Sequence, residues 1–177
     1  MAPVNWMSRS LFAIRGAPST PAGTGKRSGA MFPQTIEYAL RAVVFLAGAP
    51  GGPHTTEQIA ARIRVPRGYL SKVLQSLGRV GLLHARRGLH GGFTLARSPE
   101  TITVLEVVNA VAPIQRIRTC PLGIESHGPE LCPLHRTLDK ALASVEREFE
   151  RTTIADLLNT PAASEPLCHI TIEGDVA

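Results

Sequence analysis

The chain has 177 residues, with 19 Lys or Arg against 14 Asp or Glu, a formal net charge of +5 and a hydrophobic share of 44%. That is enough for one ordinary core with an arm to spare, while the absence of any apolar run near the roughly 20 residues of a membrane-spanning helix excludes a membrane partner of that kind. An odd number of cysteines, three, argues against a secreted disulfide framework and for a reducing, cytoplasmic setting where thiols do chemistry.

Charge is unevenly placed. Residues 1–30 carry four basic residues and no acid, and residues 58–98 carry eight basic residues and again no acid. Twelve of the fourteen acids lie in residues 99–177. A cationic segment beside an acidic one is the pattern of a phosphate-binding surface next to a partner element.

Residues 1–30 are rich in Gly, Pro, Ser, Thr and Ala with no sustained period, which predicts a disordered extension. They have no apolar stretch with a cleavage site, and a start codon placed too early accounts for them. From Thr35 the spacing of Ile36, Ala39, Leu40, Val43, Val44 and Ala47 predicts a helix ended by Gly48 to Pro53. Thr55 or Thr56 caps a second helix with Ile59, Ala60 and Ile63 inward. Val65-Pro66 is a short turn, and a third helix follows from Gly68 to Val80 with Leu70, Val73, Leu74 and Leu77 apolar. Helix, tight turn, helix at this spacing is a helix-turn-helix, with the third helix as the reader.

Residues 81–96 alternate apolar and polar around Gly88, Gly91 and Gly92, which predicts a hairpin. A hairpin after a reader helix is the wing of a winged helix. Arg86 and Arg87 are expected at its base and His90 at its tip, suited to phosphate or minor-groove contact. On the reader, Tyr69, Ser71, Lys72 and Gln75 are the candidates for base contact, with Gln75 suited to adenine and Lys72 to guanine. Arg67, just ahead of them, suits phosphate.

Thr103 caps a short helix whose Val104, Val107, Val108 and Val111 are expected to pack on the wing. Further on, Leu134, Leu138, Ala141, Leu142, Val145 and Phe149 form one stripe of a longer amphipathic helix. Such a stripe is covered by a second subunit, the reading favoured here, or by packing back near Ile36. A last short helix runs from Ile154 to Leu158. The predicted organisation is an N-terminal extension (1–30), a winged helix-turn-helix domain (31–112), a cysteine-containing loop (113–135), a dimerisation helix with a terminal helix (136–158) and a tail (159–177). The fold class is mainly α with a small β-hairpin wing.

Between wing and long helix, Cys120 and Cys132 stand twelve positions apart and His135 follows three later. Thiolate and imidazole suit zinc, copper(I) or an iron–sulfur cluster. The plain alternative is two unrelated thiols in a surface loop. A cysteine-nucleophile enzyme would need oxyanion donors and a substrate cleft. Nothing else in the chain suggests them, so neither enzyme activity nor a small-molecule substrate is expected.

The stretches beginning Glu37-Tyr-Ala-Leu-Arg-Ala, Gly68-Tyr-Leu-Ser-Lys-Val-Leu, Arg87-Gly-Leu-His-Gly-Gly-Phe-Thr-Leu and Ile102-Thr-Val-Leu-Glu-Val-Val together resemble the Rrf-two family of winged-helix regulators over roughly residues 31–158. The resemblance implies a homodimer on a double-stranded DNA operator, with the long helix crossing its partner's. It also implies, for many members, a 2Fe–2S or 4Fe–4S cluster in the loop before that helix. Cys120 and Cys132 match the first and third cysteine ligands, and His135 matches a histidine ligand of one branch. The middle cysteine position falls on Ser126. His127, beside it, and Glu37, at a position where some relatives supply a carboxylate from the other subunit, are the implied substitutes. Imidazole for thiolate raises a cluster's potential, so the resemblance implies a regulator, read as a repressor, that senses redox, nitric oxide or iron–sulfur status through a cluster, 2Fe–2S in this reading. Alternatives of the same fold are a thiol/disulfide switch, a zinc-binding regulator, or a cluster-carrying interaction protein.

Overall fold

The structure, a computed structural model, describes residues 32–160 apart from 50, 89 and 122–129. The extension at 1–30, most of the tail, Ser126 and His127 therefore lie outside the described residues. The order is α1 (Gln34–Gly48), α2 (Thr56–Ile63), α3 (Arg67–Arg79), β1 (Leu83–Arg86), β2 (Gly92–Leu95), a 3-10 turn at Pro99–Thr101, α4 (Val104–Val111), α5 (Pro133–Arg151) and α6 (Ile154–Asn159). Among the described residues no helix is long and apolar enough to cross a membrane.

Local chemistry sets these boundaries. Thr55 accepts from the Gln58 amide while the Gln58 side chain returns to the Thr55 amide, closing a capping box at α2. Arg64, in the left-handed conformation at φ 53°, ends α2, and the Val65 N–H reaches back to the Ala60 carbonyl. Pro66 then stands at the N-cap of α3, so the reader helix starts at Arg67, one residue ahead of the sequence expectation.

The core lies where α1, α2, α3, α4 and α6 converge. Val43, Ile59, Leu70, Leu74, Leu77, Ile102, Val107 and Ile154 are almost wholly enclosed, and no polar residue is buried among the described residues. The strands pair antiparallel, Leu83 opposite Leu95 and Arg86 opposite Gly92. His54 extends this pair: its N–H donates to the Phe93 carbonyl at 3.1 Å and its carbonyl accepts from the Phe93 N–H at 2.8 Å. The wing is thereby fixed to the stretch between α1 and α2.

The α4 helix differs from expectation. Its valines pack chiefly on α1 and α3: Val107 joins the main core, which wing residues Leu83 and Leu95 share, and Val104 and Val108 sit with Ile36. The stripe marks which face is apolar but does not identify its neighbour. An ion pair, Arg97 to Glu106 at 2.6 Å, also joins α4 to the stretch just past β2.

Two further capping boxes, Thr103 with Glu106 and Thr153 with Asp156, stand back to back. The Val104 N–H donates to Thr152 and the Ile154 N–H to Ile102, both at 2.9 Å. The C-terminal end of α5 is therefore fastened to the start of α4, and Phe149 packs beside Phe32 with ring centroids 5.5 Å apart. In the N-terminal half of α5 two apolar side chains are uncovered: Leu134 is 64% and Leu138 47% exposed.

Candidate functional site

The basic surface is built on α3 and the wing tip. Four leucine and valine side chains hold α3 in the core and leave Lys72 and Gln75 exposed, three residues apart and hence neighbours on one helix face. Among the described residues neither is held by a hydrogen bond or ion pair. Ser71 and Tyr69 are committed elsewhere. The Ser71 hydroxyl donates to the Arg67 carbonyl at 3.2 Å. The Tyr69 hydroxyl shares a hydrogen bond with Thr35, and its ring stands edge-on to Tyr38. Both thus lean toward the protein's own backbone and α1. Arg67 is exposed, with Glu57 at 3.9 Å, a distance worth little in water.

In the wing the register corrects one expectation. Because Arg86 pairs with Gly92, the turn occupies residues 87–91, so Arg86 and Arg87 stand at the tip beside His90 rather than at the base. All three are exposed. Gly91 and Gly92 make the tip possible. A Cβ on Gly91 would lie 2.4 Å from the Arg86 carbonyl oxygen, and one on Gly92 would lie 2.5 Å from the His54 carbonyl.

The thiol site begins at α5. Cys132 is the N-cap residue of this helix, and His135 stands in its first turn. The Cys132 Sγ and His135 Nδ1 are 3.3 Å apart. Cys120 and Cys132 are both free thiols, half-buried. Cys120 does not join the pair: among the described residues no three His, Cys, Asp or Glu come close enough to hold a metal ion. Glu37, exposed on α1, is ion-paired with Arg41, which also donates to the Ile63 carbonyl at 3.3 Å.

One cluster was not foreseen. Between α4 and Cys120 the chain has no regular structure, and a single arginine fastens it to α5. Arg116 forks onto Asp139, Nε to Oδ1 at 2.7 Å and an Nη to Oδ2 at 2.6 Å, and its other Nη donates to Glu146 at 2.9 Å. The Ile117 N–H adds a bond to Asp139 at 3.0 Å. The Arg116 hydrogen bonds hold the Asp139 carboxyl below its ordinary value of 3.8 against the opposing effect of burial, and the two carboxylates raise the guanidinium further. With partners 23 and 30 positions apart in the chain, no periodic signal announces this cluster.

Comparison with known proteins agrees with this architecture. The sequence profile of the Rrf2 family, described as an iron-dependent transcriptional regulator, matches residues 32–160. A protein of Aquifex aeolicus (strain VF5) described as an HTH-type transcriptional regulator is 29% identical over 132 residues, covering 73% of this chain and 92% of that one. T. potens IscR superposes with a TM-score of 0.60 at 25% identity, covering 73% of this chain and 87% of that one. CymR (YrzC), the global cysteine regulator of B. subtilis, shares the fold at a TM-score of 0.60 and 24% identity, covering 72% of this chain and 95% of its own. With its helix-turn-helix, its basic wing and a family match across every described element, the chain is a DNA-binding transcriptional regulator of the Rrf2 family.

Proposed function

We propose that this regulator binds its operator as a homodimer, acts as a repressor, and senses redox, nitric oxide or iron–sulfur status through an iron–sulfur cluster held by Cys120, Cys132 and His135. The observation that carries the reading is the Cys132–His135 contact at 3.3 Å on the first turn of α5. Two donors at ordinary bond lengths to one tetrahedral ion stand roughly 3.5 Å apart, so this pair is already at ligand spacing. A thiolate and an imidazole are also suitable iron donors, in line with the family's iron dependence. Cys120 supplies the second thiolate. The fourth ligand falls to His127 or to Glu37 of the partner subunit; Glu37 would have to leave its ion pair with Arg41. A cluster so held supplies one-electron chemistry and reactivity toward nitric oxide.

The chain's own residues then divide the work. Cys132 and His135 fix the bound group to the start of α5, whose far end is fastened to α4. Ligation by Cys120 draws the connecting segment onto the same helix and sets the spacing of the two readers. On each reader Lys72 and Gln75 address bases, and Arg67, Arg86, Arg87 and His90 address phosphate or the minor groove. Tyr69 and Ser71 shape the start of the helix.

A second reading has its own observation. Cys120 and Cys132 are both free and half-buried, which suits a reversible disulfide, and with His135 and a second histidine they would make a zinc donor set. Anaerobic purification with a visible spectrum and iron, sulfide and zinc analysis decides between them. Stoichiometric iron and sulfide, lost on Cys132→Ser, are expected. A colourless, metal-free protein that forms a Cys120–Cys132 disulfide overturns the cluster reading. Titrating genomic DNA at rising salt tests the other half: affinity must fall steeply as counterions compete for phosphate, and a flat response sinks it.

A further inference from the structure

The Arg116 cluster lies where it can govern the thiol site. Cys132, His135, Asp139 and Glu146 follow one another on α5 at spacings of three, four and seven, which places them along one helix face. The connecting segment lies against that face, fastened at Asp139 by the Arg116 fork and the Ile117 amide. From Asp139 back to Cys132 the helix rises roughly 10 Å at 1.5 Å per residue. From Ile117 to Cys120 three extended residues span roughly 10 Å. The tether is just long enough to deliver Cys120 to the Cys132–His135 pair.

We infer that Arg116, Asp139 and Glu146 form a clamp that positions Cys120 for the Cys132–His135 pair, and so sets how readily this site closes on a metal centre or a disulfide. They are positioning residues and touch no ligand themselves. The inference rests on the proposed reading of Cys120, Cys132 and His135 as one site. Without the clamp, the nearest anchor of the segment is Ile114, which packs beside Ile36 and Val108. The free tether then lengthens from three residues to six. Closure probability falls with roughly the three-halves power of length, about three-fold here.

The test uses full-length protein carrying Cys168→Ser, so that only Cys120 and Cys132 exchange. Metal-free protein is equilibrated with glutathione: two protein thiols and one oxidised glutathione give one protein disulfide and two reduced glutathiones. Arg116→Met and Asp139→Asn are expected to lower this equilibrium constant about three-fold, and Glu146→Gln, which removes the charge facing the other Nη, by less. Iron retained after anaerobic reconstitution should fall in the same order, while far-UV circular dichroism stays that of the parent. Glu146→Gln carries the test should either of the other variants lose helix. An unchanged or increased constant in folded variants overturns the clamp while leaving the site intact. A parent protein that neither forms the disulfide nor takes up iron overturns the site itself, and the clamp with it.

Discussion

At the scale of single residues, two positions turn geometry into measurable consequences. Gly92 faces the His54 backbone so closely that a Cβ would lie 2.5 Å from its carbonyl carbon and oxygen, and backbone cannot step aside as a flexible side chain can. Gly92→Ala should therefore break the His54–Phe93 bridge and cost about 1–3 kcal/mol, the range for forced overpacking, read by urea denaturation; a neutral result would mean that the wing adjusts freely. Asp139 gives a pH signature. Its folded-state pKa is depressed by Arg116, so the stability it contributes is present above the unfolded value of 3.8 and is lost as pH falls through the lower folded value. The melting temperature of the parent should exceed that of Asp139→Asn at neutral pH, and the gap should close as pH drops below 3.8. A gap that stays constant through that window would show that the ion pair carries no linkage.

At the scale of elements, what could be read from the sequence was what is local. Thr103 and one of the pair Thr55 and Thr56 were legible as caps, and Thr103 and Thr55 each have their partner three residues on; the buried faces of α1, α2 and α3 follow from apolar spacing. What a local pattern lacks is the identity of the neighbour. The α4 valines found chiefly α1 and α3, with the wing sharing the same core. The wing arginines stand at the tip because the register with Gly92, set by pairing across the hairpin, moved the turn toward them. The same distinction sorts the reader helix. Tyr69 and Ser71 bond their hydroxyls to Thr35 and Arg67, whereas Lys72 and Gln75 stand exposed. Gln75→Ala should cost about 1–3 kcal/mol on the selected operator and relax preference at one base pair. Arg86→Ala should weaken all duplexes alike and lower the salt slope by about 1. Fluorescence anisotropy on an operator selected from random duplexes, beside a scrambled one, separates the two behaviours; equal losses on both duplexes for Gln75→Ala would remove it from base reading.

At the scale of the whole molecule, α5 is only partly covered by its own chain. Its stripe is covered progressively toward the C-terminus, where Phe149 meets Phe32, and is uncovered at Leu134 and Leu138. One of the two coverings anticipated from sequence is seen, the packing back near Ile36 at the C-terminal end, while Leu134 and Leu138 stay open at the other. The thiol site stands at that open end, and its legibility divides likewise. The Cys132–His135 spacing could be read because it is a single helical turn. The Arg116 clamp could not, because it joins residues brought together only by the turn-back of the chain. In the proposed dimer a partner's α5 covers Leu134 and Leu138, each contributing about 1.5–3 kcal/mol on full burial. Leu138→Asp places a charge in that interface. Sedimentation at micromolar concentration should then show a monomer where the parent is a dimer. Operator affinity should fall by more than the ten-fold that 1.4 kcal/mol represents, because one reader then binds where two were coupled. A variant that stays dimeric, or a monomer that binds the operator as tightly as the parent, would show that α5 joins no second subunit or that the joining does not serve DNA recognition.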